Sequence, residues 1–325
     1  MTATINPSVW HGLSAWSLET DVLRTIIVPE LGAKIVSLFD KRNQLEWLVG
    51  PGDRPFRKVP YGAPFTDQDM SGWDEMFPTI VACEFPGSGA RHGAALPDHG
   101  EVWSLPWTVD EASDLRLTLS VEGQALPYRL TRTAEYRAAD TLDLHYQVVN
   151  LGAEIMPYMW AAHPQLVCGL DAQLVIPSHV TTVCNTIAES WGWGAPETRF
   201  EWPVAIAEDG THRHLDRIGS PALHHARKFF VPQEVRAAWA GLIRHPSHDW
   251  LRLEWDPNRV PYLGLWVDEG AFNPDSVAAL EPTTGFYDSL TTAWNKQQIT
   301  RIEPGATHTW TLTVRSGTGE QSFPK

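Results

Sequence analysis

Residues 141–150 read TLDLHYQVVN. Apolar side chains at positions 142, 144 and 146 alternate with polar side chains at positions 143, 145 and 147. A period of two residues is typical of a β-strand with one buried face, and strands of this kind occur mainly in antiparallel sheets. The stretch therefore predicts an antiparallel sheet whose apolar face packs on a core.

Short segments of the same character recur along the whole chain. They are rich in β-branched, aromatic and alternating residues, and 24 glycines and 25 prolines separate them. The further predicted strands are Leu23 to Val28, Lys34 to Phe39, Leu115 to Val121, Tyr128 to Tyr136, Gln173 to Ile176, Trp250 to Trp255, Tyr262 to Val267 and His308 to Val314. We interpret Asp275 to Leu280 as a turn or the approach to a strand. Helical periodicity is scarce, and its best candidate is Gln233 to Ile243.

The distribution of these segments favours an all-β fold. A doubly wound nucleotide-binding fold needs helices between its strands and a glycine-rich phosphate loop, and the sequence has neither pattern. We find no internal repeat and no low-complexity tract. We therefore predict that residues 1–325 form one large antiparallel β-sandwich.

Charge and cysteine content exclude several classes of protein. The 325 residues include 25 Lys and Arg against 39 Asp and Glu, a formal net charge of −14, so no basic surface for nucleic acid is expected. Three irregularly spaced cysteines predict neither a disulfide framework nor a zinc site. The N-terminus lacks the pattern of a signal peptide, and no later run is apolar enough to span a membrane. We expect a cytoplasmic protein with no membrane or nucleic-acid partner.

Three ionisable residues stand in unusual surroundings. His99 lies between a proline two residues before it and a glycine after it, which predicts a tight loop that presents its ring. His163 follows an apolar run and two alanines, so small neighbours leave room for a ligand. Glu281 ends an apolar run before a proline, and partial burial there would raise its pKa towards that of a useful base. For each residue, an ordinary structural role is the alternative reading.

Five short motifs in order resemble those of the aldose 1-epimerase (galactose mutarotase-like) family. They are Leu31-Gly32-Ala33-Lys34-Ile35-Val36-Ser37-Leu38, Gly72-Trp73-Asp74-Glu75-Met76-Phe77-Pro78, Asp98-His99-Gly100, Asn150-Leu151-Gly152 followed by Ala162-His163-Pro164, and Leu280-Glu281-Pro282. The resemblance covers most of the chain and implies a large antiparallel β-sandwich. The family pattern has asparagine and tyrosine around its acid histidine where this chain has Ala162 and Pro164, so galactose is not indicated as the substrate.

The resemblance implies an acid–base pair that opens a sugar ring. His163 would be the general acid and Glu281 the general base, with His99 assisting at the ring. Glu has an ordinary pKa of about 4.3 and His of about 6.5, so a carboxylate and an imidazolium are both accessible near neutrality. Proximity would favour both charges. We expect no metal and no organic cofactor.

Further residues of the motifs are candidates for sugar binding. Asp74 and Glu75 lie in a motif that looks like the substrate-contacting loop of related hexose mutarotases. Lys34 or Arg91 could reach a hydroxyl or a charged substituent. Tryptophan packs on the C–H face of a sugar, and those next to the motifs are Trp73, Trp103, Trp160 and Trp266.

These features predict a mutarotase that interconverts the anomers of a free aldose or related sugar, acting as a monomer or homodimer. Two alternatives stay open. One is a carbohydrate-binding β-sandwich without catalysis. The other is a polysaccharide lyase or glycoside hydrolase, of which the hydrolase would need two suitably spaced carboxylates.

Overall fold

The computed structural model of the chain describes residues 3–169, 171–206, 210–319 and 323–324. These residues form mainly strands. The strands are β1 (Thr4–Trp10), β2 (Leu13–Glu19), β3 (Leu23–Val28), β4 (Lys34–Asp40), β5 (Leu45–Glu46), β6 (Trp73–Met76), β7 (Cys83–Glu84), β8 (Ala95–Leu96), β9 (Thr108–Ala112), β10 (Arg116–Glu122), β11 (Tyr128–Ala138), β12 (Thr141–Asn150), β13 (Met156–Tyr158), β14 (Ala161–Pro164), β15 (Leu166–Val167), β16 (Gln173–Val175), β17 (Thr182–Asn185), β18 (Arg199–Glu201), β19 (Val204–Ile206), β20 (His212–His214), β21 (His225–Phe230), β22 (Trp239–Arg244), β23 (Asp249–Trp255), β24 (Tyr262–Glu269), β25 (Ser276–Thr283), β26 (Thr300–Ile302) and β27 (Thr307–Thr318).

Helical structure in the described residues is short. The α-helix α1 spans Leu290–Asn295, and its Ser289 cap accepts a hydrogen bond from the backbone N–H of Thr292. The 3-10 turns are Pro29–Leu31, Phe65–Asp67, Gly89–Arg91, Glu189–Trp191 and Pro221–Leu223.

Two large antiparallel sheets organise the described strands. The first has the order β1-β2-β3-β4-β6-β14-β25-β24-β21-β17-β18, with β5 paired to β4 and β15 paired to β25. The second has the order β16-β22-β23-β27-β12-β11-β10-β9. One hydrophobic cluster takes side chains from both sheets, among them Ile27 and Leu280 of the first and Leu144 and Leu253 of the second. The predicted all-β antiparallel architecture is confirmed.

Strand β12 shows why the alternating pattern was informative. It spans Thr141–Asn150, and Leu142, Leu144 and Tyr146 are buried as predicted. Asp143 on the opposite face is buried too, because it accepts hydrogen bonds from Arg137 and Thr313 at 3.0 and 2.7 Å. A polar position in an alternating strand can therefore be buried when its neighbours supply donors.

The prediction of a helix over Gln233 to Ile243 was wrong. Residues 233–238 form a turn and an irregular stretch, and Trp239–Arg244 form β22, which pairs with β23 and β16. Gly241 weakens a helix, whereas the neighbouring strands supply hydrogen-bond partners on both sides. Sheet pairing therefore decided the structure of a segment whose local preference was weak.

Among the described residues, no helix is both long enough and apolar enough to cross a bilayer.

Candidate active site

A cleft of about 630 Å³ opens over the middle of the first sheet. Its lining includes residues of four neighbouring strands, β14, β25, β24 and β21, together with loops that cross their ends. The lining residues are Phe65, Thr66, Met70, Ile80, Val81, Asp98, His99, His163, Gln165, Thr186, Ile187, Ala188, Pro196, Glu197, Lys228, Trp266, Asp268, Phe272, Glu281, Tyr287, Asp288, Ser289 and Thr292.

His163 and Glu281 meet in this cleft. His163 lies on β14 and Glu281 on the adjacent strand β25, and His163 Nε2 is 4.0 Å from Glu281 Oε1. Gly264 of β24 is the register partner of Glu281, and a Cβ added there would lie 3.2 Å from Glu281 Oε2. The missing side chain of Gly264 leaves room for the carboxylate.

A lysine and a second carboxylate complete the charged part of the cleft. Lys228 Nζ of β21 lies 2.8 Å from Glu281 Oε2 and 3.0 Å from Asp288 Oδ1. Burial raises the pKa of Glu281, and the Lys228 ammonium opposes that rise. Burial also disfavours the charge of Lys228, but Asp288 and Glu281 outweigh it and raise the pKa of the ammonium. Lys228 therefore stays charged, and its ammonium favours the carboxylate form of Glu281 against the effect of burial.

The charge of His163 differs from the expectation. Its burial, together with the positive charges of His99, Lys228 and Lys34, lowers its pKa well below the ordinary value of 6.5. This environment therefore disfavours the expected imidazolium. Within the described part of the chain, the buried Nδ1 of His163 has no hydrogen-bond partner.

His99 lies at the edge of the same cleft, in the tight loop that the sequence predicts. Its Nδ1 is 3.0 Å from Asp98 Oδ1, and its ring stacks on Phe65 with centroids 3.9 Å apart. The rings of His99 and His163 are 5.2 Å apart. Gly100 has a φ of 72°, and a Cβ there would collide with the backbone of Phe77, so the loop needs glycine at this position. The structure brings His99, His163 and Glu281 together.

Of the four predicted tryptophans, Trp266 alone lines the cleft. It lies on β24, two residues along the strand from Gly264, and is partly exposed. Trp103 is buried behind Phe65, with ring centroids 5.2 Å apart, and donates a hydrogen bond to the Asp98 carbonyl at 2.9 Å. Trp103 therefore stabilises the loop of His99 through Phe65 and Asp98 and is not part of the cleft lining.

Lys34 and Asp74 lie in a sealed cluster next to the cleft and do not line it. Lys34 Nζ is 2.9 Å from Asp69 and 3.3 Å from Asp74, and it also donates to Gln68 and to the Ser71 carbonyl. Its side chain is 2% exposed, so it cannot reach a substrate hydroxyl. Burial raises the pKa of Asp74 to about 6, although Lys34 opposes the rise.

Glu75 and Trp160 belong to a buried hydrogen-bond network between the sheets. Both oxygens of Glu75 accept hydrogen bonds, from Arg132 at 2.8 Å, Tyr146 at 2.7 Å and Trp160 Nε1 at 2.8 Å. Since these donors surround a fully buried carboxylate, no position is left for a sugar. Trp73 is also fully buried and part of the core.

Arg91 lies away from the cleft. It is exposed at the end of the 3-10 turn Gly89–Arg91 and lines a separate depression of about 190 Å³. The cleft lining does not include seven of the predicted sugar-binding residues, and their placements correct the expectation that they contact substrate: Lys34, Asp74, Glu75, Arg91, Trp73, Trp103 and Trp160. Residues 73–75 instead belong to β6, which pairs with β14, the strand that carries His163.

Sequence reasoning missed Lys228, Asp288, Phe65 and Phe272 as cleft residues. Lys228 carried a weak signal, because it and Arg227 are cations directly before the apolar residues Phe229 and Phe230 of β21. The others follow no local pattern that separates them from ordinary loop residues.

Solved structures with low sequence identity share this fold. A galactose mutarotase-like protein from Lactobacillus casei ATCC 334 has a TM-score of 0.68 at 19% identity, with 93% of this chain and 100% of that chain covered. A galactose mutarotase-like protein from Clostridium acetobutylicum has a TM-score of 0.68 at 13% identity, covering 98% and 99%. The galactose mutarotase related enzyme from Lactobacillus acidophilus has a TM-score of 0.66 at 14% identity, covering 96% and 100%. At these identities the likeness shows the fold alone.

Sequence comparison gives the family. No curated protein matches the chain. The family model described as aldose 1-epimerase matches residues 14–222, which is more than half of the sequence and includes His99 and His163 but ends before Glu281. The chain belongs to the aldose 1-epimerase family.

Proposed function

We propose that this protein is a mutarotase that interconverts the α and β anomers of an uncharged free aldose. The observation that carries the proposal is the pairing of His163 Nε2 and Glu281 Oε1, 4.0 Å apart in one cleft. This separation is too long for a hydrogen bond between them, about 2.7–3.2 Å, so each atom is available to a ligand. The ring oxygen and the anomeric hydroxyl of a pyranose are bonded to the same carbon and suit two such neighbouring partners.

In the proposed mechanism, Glu281 accepts the proton of the C1 hydroxyl while the imidazolium of His163 protonates the ring oxygen. The C1–O5 bond breaks as the C1 carbonyl forms, which leaves an open-chain aldehyde. After rotation about C1–C2, the C5 hydroxyl attacks the other face of the carbonyl. It returns its proton to His163 and Glu281 protonates O1, so both groups regain their starting charges. Each positioned proton transfer contributes on the order of 10²- to 10⁴-fold.

The surroundings of the pair set its protonation. The reactive form, an imidazolium beside a carboxylate, carries one proton. The lowered pKa of His163 and the raised pKa of Glu281 make this form less favourable than it would be for the two free side chains. The Lys228 ammonium opposes protonation of Glu281, since it favours the carboxylate. The site is therefore built to form the reactive pair transiently, on taking up a proton.

The charge of the cleft supports an uncharged substrate. Among the lining residues, Asp98, Glu197, Asp268, Glu281 and Asp288 are acidic. The one lysine in the same lining is already paired with two of those carboxylates, and no arginine lies among the lining residues. A phosphate or carboxylate on the sugar would meet repulsion from these carboxylates, and the lining residues include neither an unpaired lysine nor an arginine to bind it.

The same arrangement disfavours a glycoside hydrolase. A hydrolase keeps one carboxyl group protonated to act as the acid. Here the Lys228 ammonium lies 2.8 Å from Glu281 and 3.0 Å from Asp288, and it opposes the rise that burial causes in the pKa of Glu281. A ring-opening isomerase needs a single carboxylate as base, and an ionised Glu281 meets that need.

Anomer exchange on fresh sugars, followed by polarimetry or NMR, tests the proposal. Wild type should accelerate the equilibration of at least one uncharged aldose over buffer, and should accelerate its 6-phosphate far less. Glu281→Gln and His163→Asn should each lose the acceleration while circular dichroism shows an unchanged fold. If wild type binds sugars and never exceeds the buffer rate, the non-catalytic carbohydrate-binding alternative is correct.

A further inference from the structure

The cleft is larger than one sugar ring and its two ends differ. Its volume of about 630 Å³ lies well inside the range of about 300–1,000 Å³ that buries a drug-sized ligand, and a single pyranose is smaller than such a ligand. The ionisable groups of the proposed mechanism, on β14, β25 and β21, occupy one part of the lining. The remainder has mostly apolar side chains, and the reaction at C1 makes no use of them.

The apolar part of the lining begins at Trp266 of β24, two residues after the residue that pairs with Glu281. Gly264 is the register partner of Glu281, and Trp266 follows two residues later on the same face of the strand. Two residues of antiparallel strand span about 7 Å, which is comparable to the length of one pyranose ring. A group attached to the reacting sugar on this side would therefore arrive over Trp266.

An aromatic shelf stands at that place. We use this name for Trp266 and Phe272, whose ring centroids are 5.6 Å apart at an interplanar angle of 50°. Phe272 is 39% exposed although it is a large apolar side chain. Trp191 is a second aromatic neighbour of Phe272, with ring centroids 5.6 Å apart at an interplanar angle of 36°. Ile187 extends the apolar lining beside the shelf.

The groups around the shelf suit a neutral ring. Asp268 lies beside it, but both of its oxygens accept backbone hydrogen bonds, from Ala271 at 2.7 Å and Asn273 at 2.8 Å among others. The Thr186 hydroxyl lies in the same lining. A sugar ring has apolar C–H faces and a polar edge that carries its hydroxyls. It can therefore stack on the aromatic side chains and direct its hydroxyls towards polar groups such as Thr186.

We infer that the aromatic shelf is a second subsite, and that it binds a second pyranose ring linked to the sugar whose anomers are exchanged. The inference rests on the proposed function. The reaction needs a free C1 hydroxyl, so the second ring is attached through another hydroxyl of the reacting sugar. The preferred substrate is then an uncharged oligosaccharide with a free reducing end.

Kinetics on matched sugars tests the subsite. Wild type should have a higher kcat/KM for a reducing disaccharide, such as maltose, cellobiose or lactose, than for glucose and galactose. Phe272→Ala should lower kcat/KM for the disaccharide about fivefold to tenfold, mainly through KM, and change the monosaccharide values less than about twofold. Trp266→Ala should lower the disaccharide value by more than it lowers the monosaccharide value. Trp266→Phe should restore most of the loss. Trp10→Ala, at a partly exposed tryptophan outside the cleft lining, is the matched control.

Equal losses for mono- and disaccharides, or no loss for disaccharides, would overturn the subsite while leaving the mutarotase intact. If no sugar is accelerated, the proposed function fails, and calorimetric titration with maltose and glucose still decides the inference. Tighter binding of maltose that is lost in Trp266→Ala would support the second subsite. Equal binding of both sugars would refute it.

Discussion

Two buried lysines lie on the same sheet, on either side of the proposed acid–base pair. Lys34 on β4 is held by Asp69 and Asp74, and Lys228 on β21 by Glu281 and Asp288. The strand order β4-β6-β14-β25-β24-β21 places His163 and Glu281 between the two lysines. Each cluster contains a buried ammonium and two carboxylates, yet only one of them lines the cleft.

The difference between the clusters is access. The side chains of Lys34, Asp69 and Asp74 are at most 2% exposed, whereas those of Lys228 and Asp288 are 12% and 16% exposed. Burial of charge is therefore shared by a structural site and a candidate catalytic site. What distinguishes the second is that one carboxylate also faces a histidine across a space that a ligand can enter.

The largest contrast is expected in activity, between the matching carboxylates of the two clusters. Glu281→Gln removes the proposed base and should lower kcat on the order of 10²- to 10⁴-fold. Asp74→Asn changes the register partner of His163 in the sealed cluster and should lower kcat less than about tenfold. Polarimetry measures both. Equal losses would mean that Asp74 takes part in proton transfer.

The next contrast concerns stability, between the two lysines. Lys34→Met leaves two carboxylates buried without their cation and should destabilise the fold by about 3–5 kcal/mol. Lys228→Met leaves Glu281, which is 1% exposed, and Asp288, which is 16% exposed and partly hydrated, so it should cost less, about 1.5–3 kcal/mol. Urea unfolding followed by circular dichroism measures both values. If Lys228→Met proves the more costly, the cleft cluster is mainly structural.

A third prediction concerns pH. The reactive state needs imidazolium at His163 and carboxylate at Glu281, so kcat/KM falls on both sides of the range between their two pKa values. Because burial lowers the pKa of His163, its imidazolium is lost at a lower pH than that of an ordinary histidine, and kcat/KM should fall as the pH rises through neutrality. A profile that rises from neutral to alkaline pH would contradict this assignment.

The smallest effect is expected at His99. Its positive charge contributes to lowering the pKa of both His163 and Glu281. His99→Gln should therefore move the pH profile of kcat/KM towards higher pH and leave the unfolding free energy nearly unchanged. A lowered maximum rate without any displacement of the profile would show that His99 acts on the sugar directly and not through the charge of the pair.

The fold was largely predictable from local pattern. β3 spans Leu23–Val28 as predicted, and β12 spans the whole alternating stretch. Alternation of apolar and polar side chains involves only neighbouring residues, so it can be recognised from the sequence alone. The helix prediction for Gln233 to Ile243 was wrong because the local pattern there was weak. Pairing with β16 and β23 decided that residues 239–244 form a strand.

The candidate site was predictable only in part. His99, His163 and Glu281 carry local signals and line one cleft. Other residues are of types that can also bind sugars, but the structure places them outside the cleft: Lys34, Glu75, Arg91 and Trp160. Whether a polar side chain faces a ligand or a buried partner depends on strands far away in sequence, and spacing along the chain does not encode this.

By itself, the sequence determined an acidic, strand-rich chain and the identity of the residues suited to acid–base chemistry, because composition and alternation are local. The tertiary structure alone decided that Lys228 and Asp288 join Glu281, that Lys34 is sealed beside Asp74, and that Trp266 is open to the cleft. The physical reason is that the charge state and accessibility of a group depend on its surroundings in three dimensions, which the order and register of the strands create.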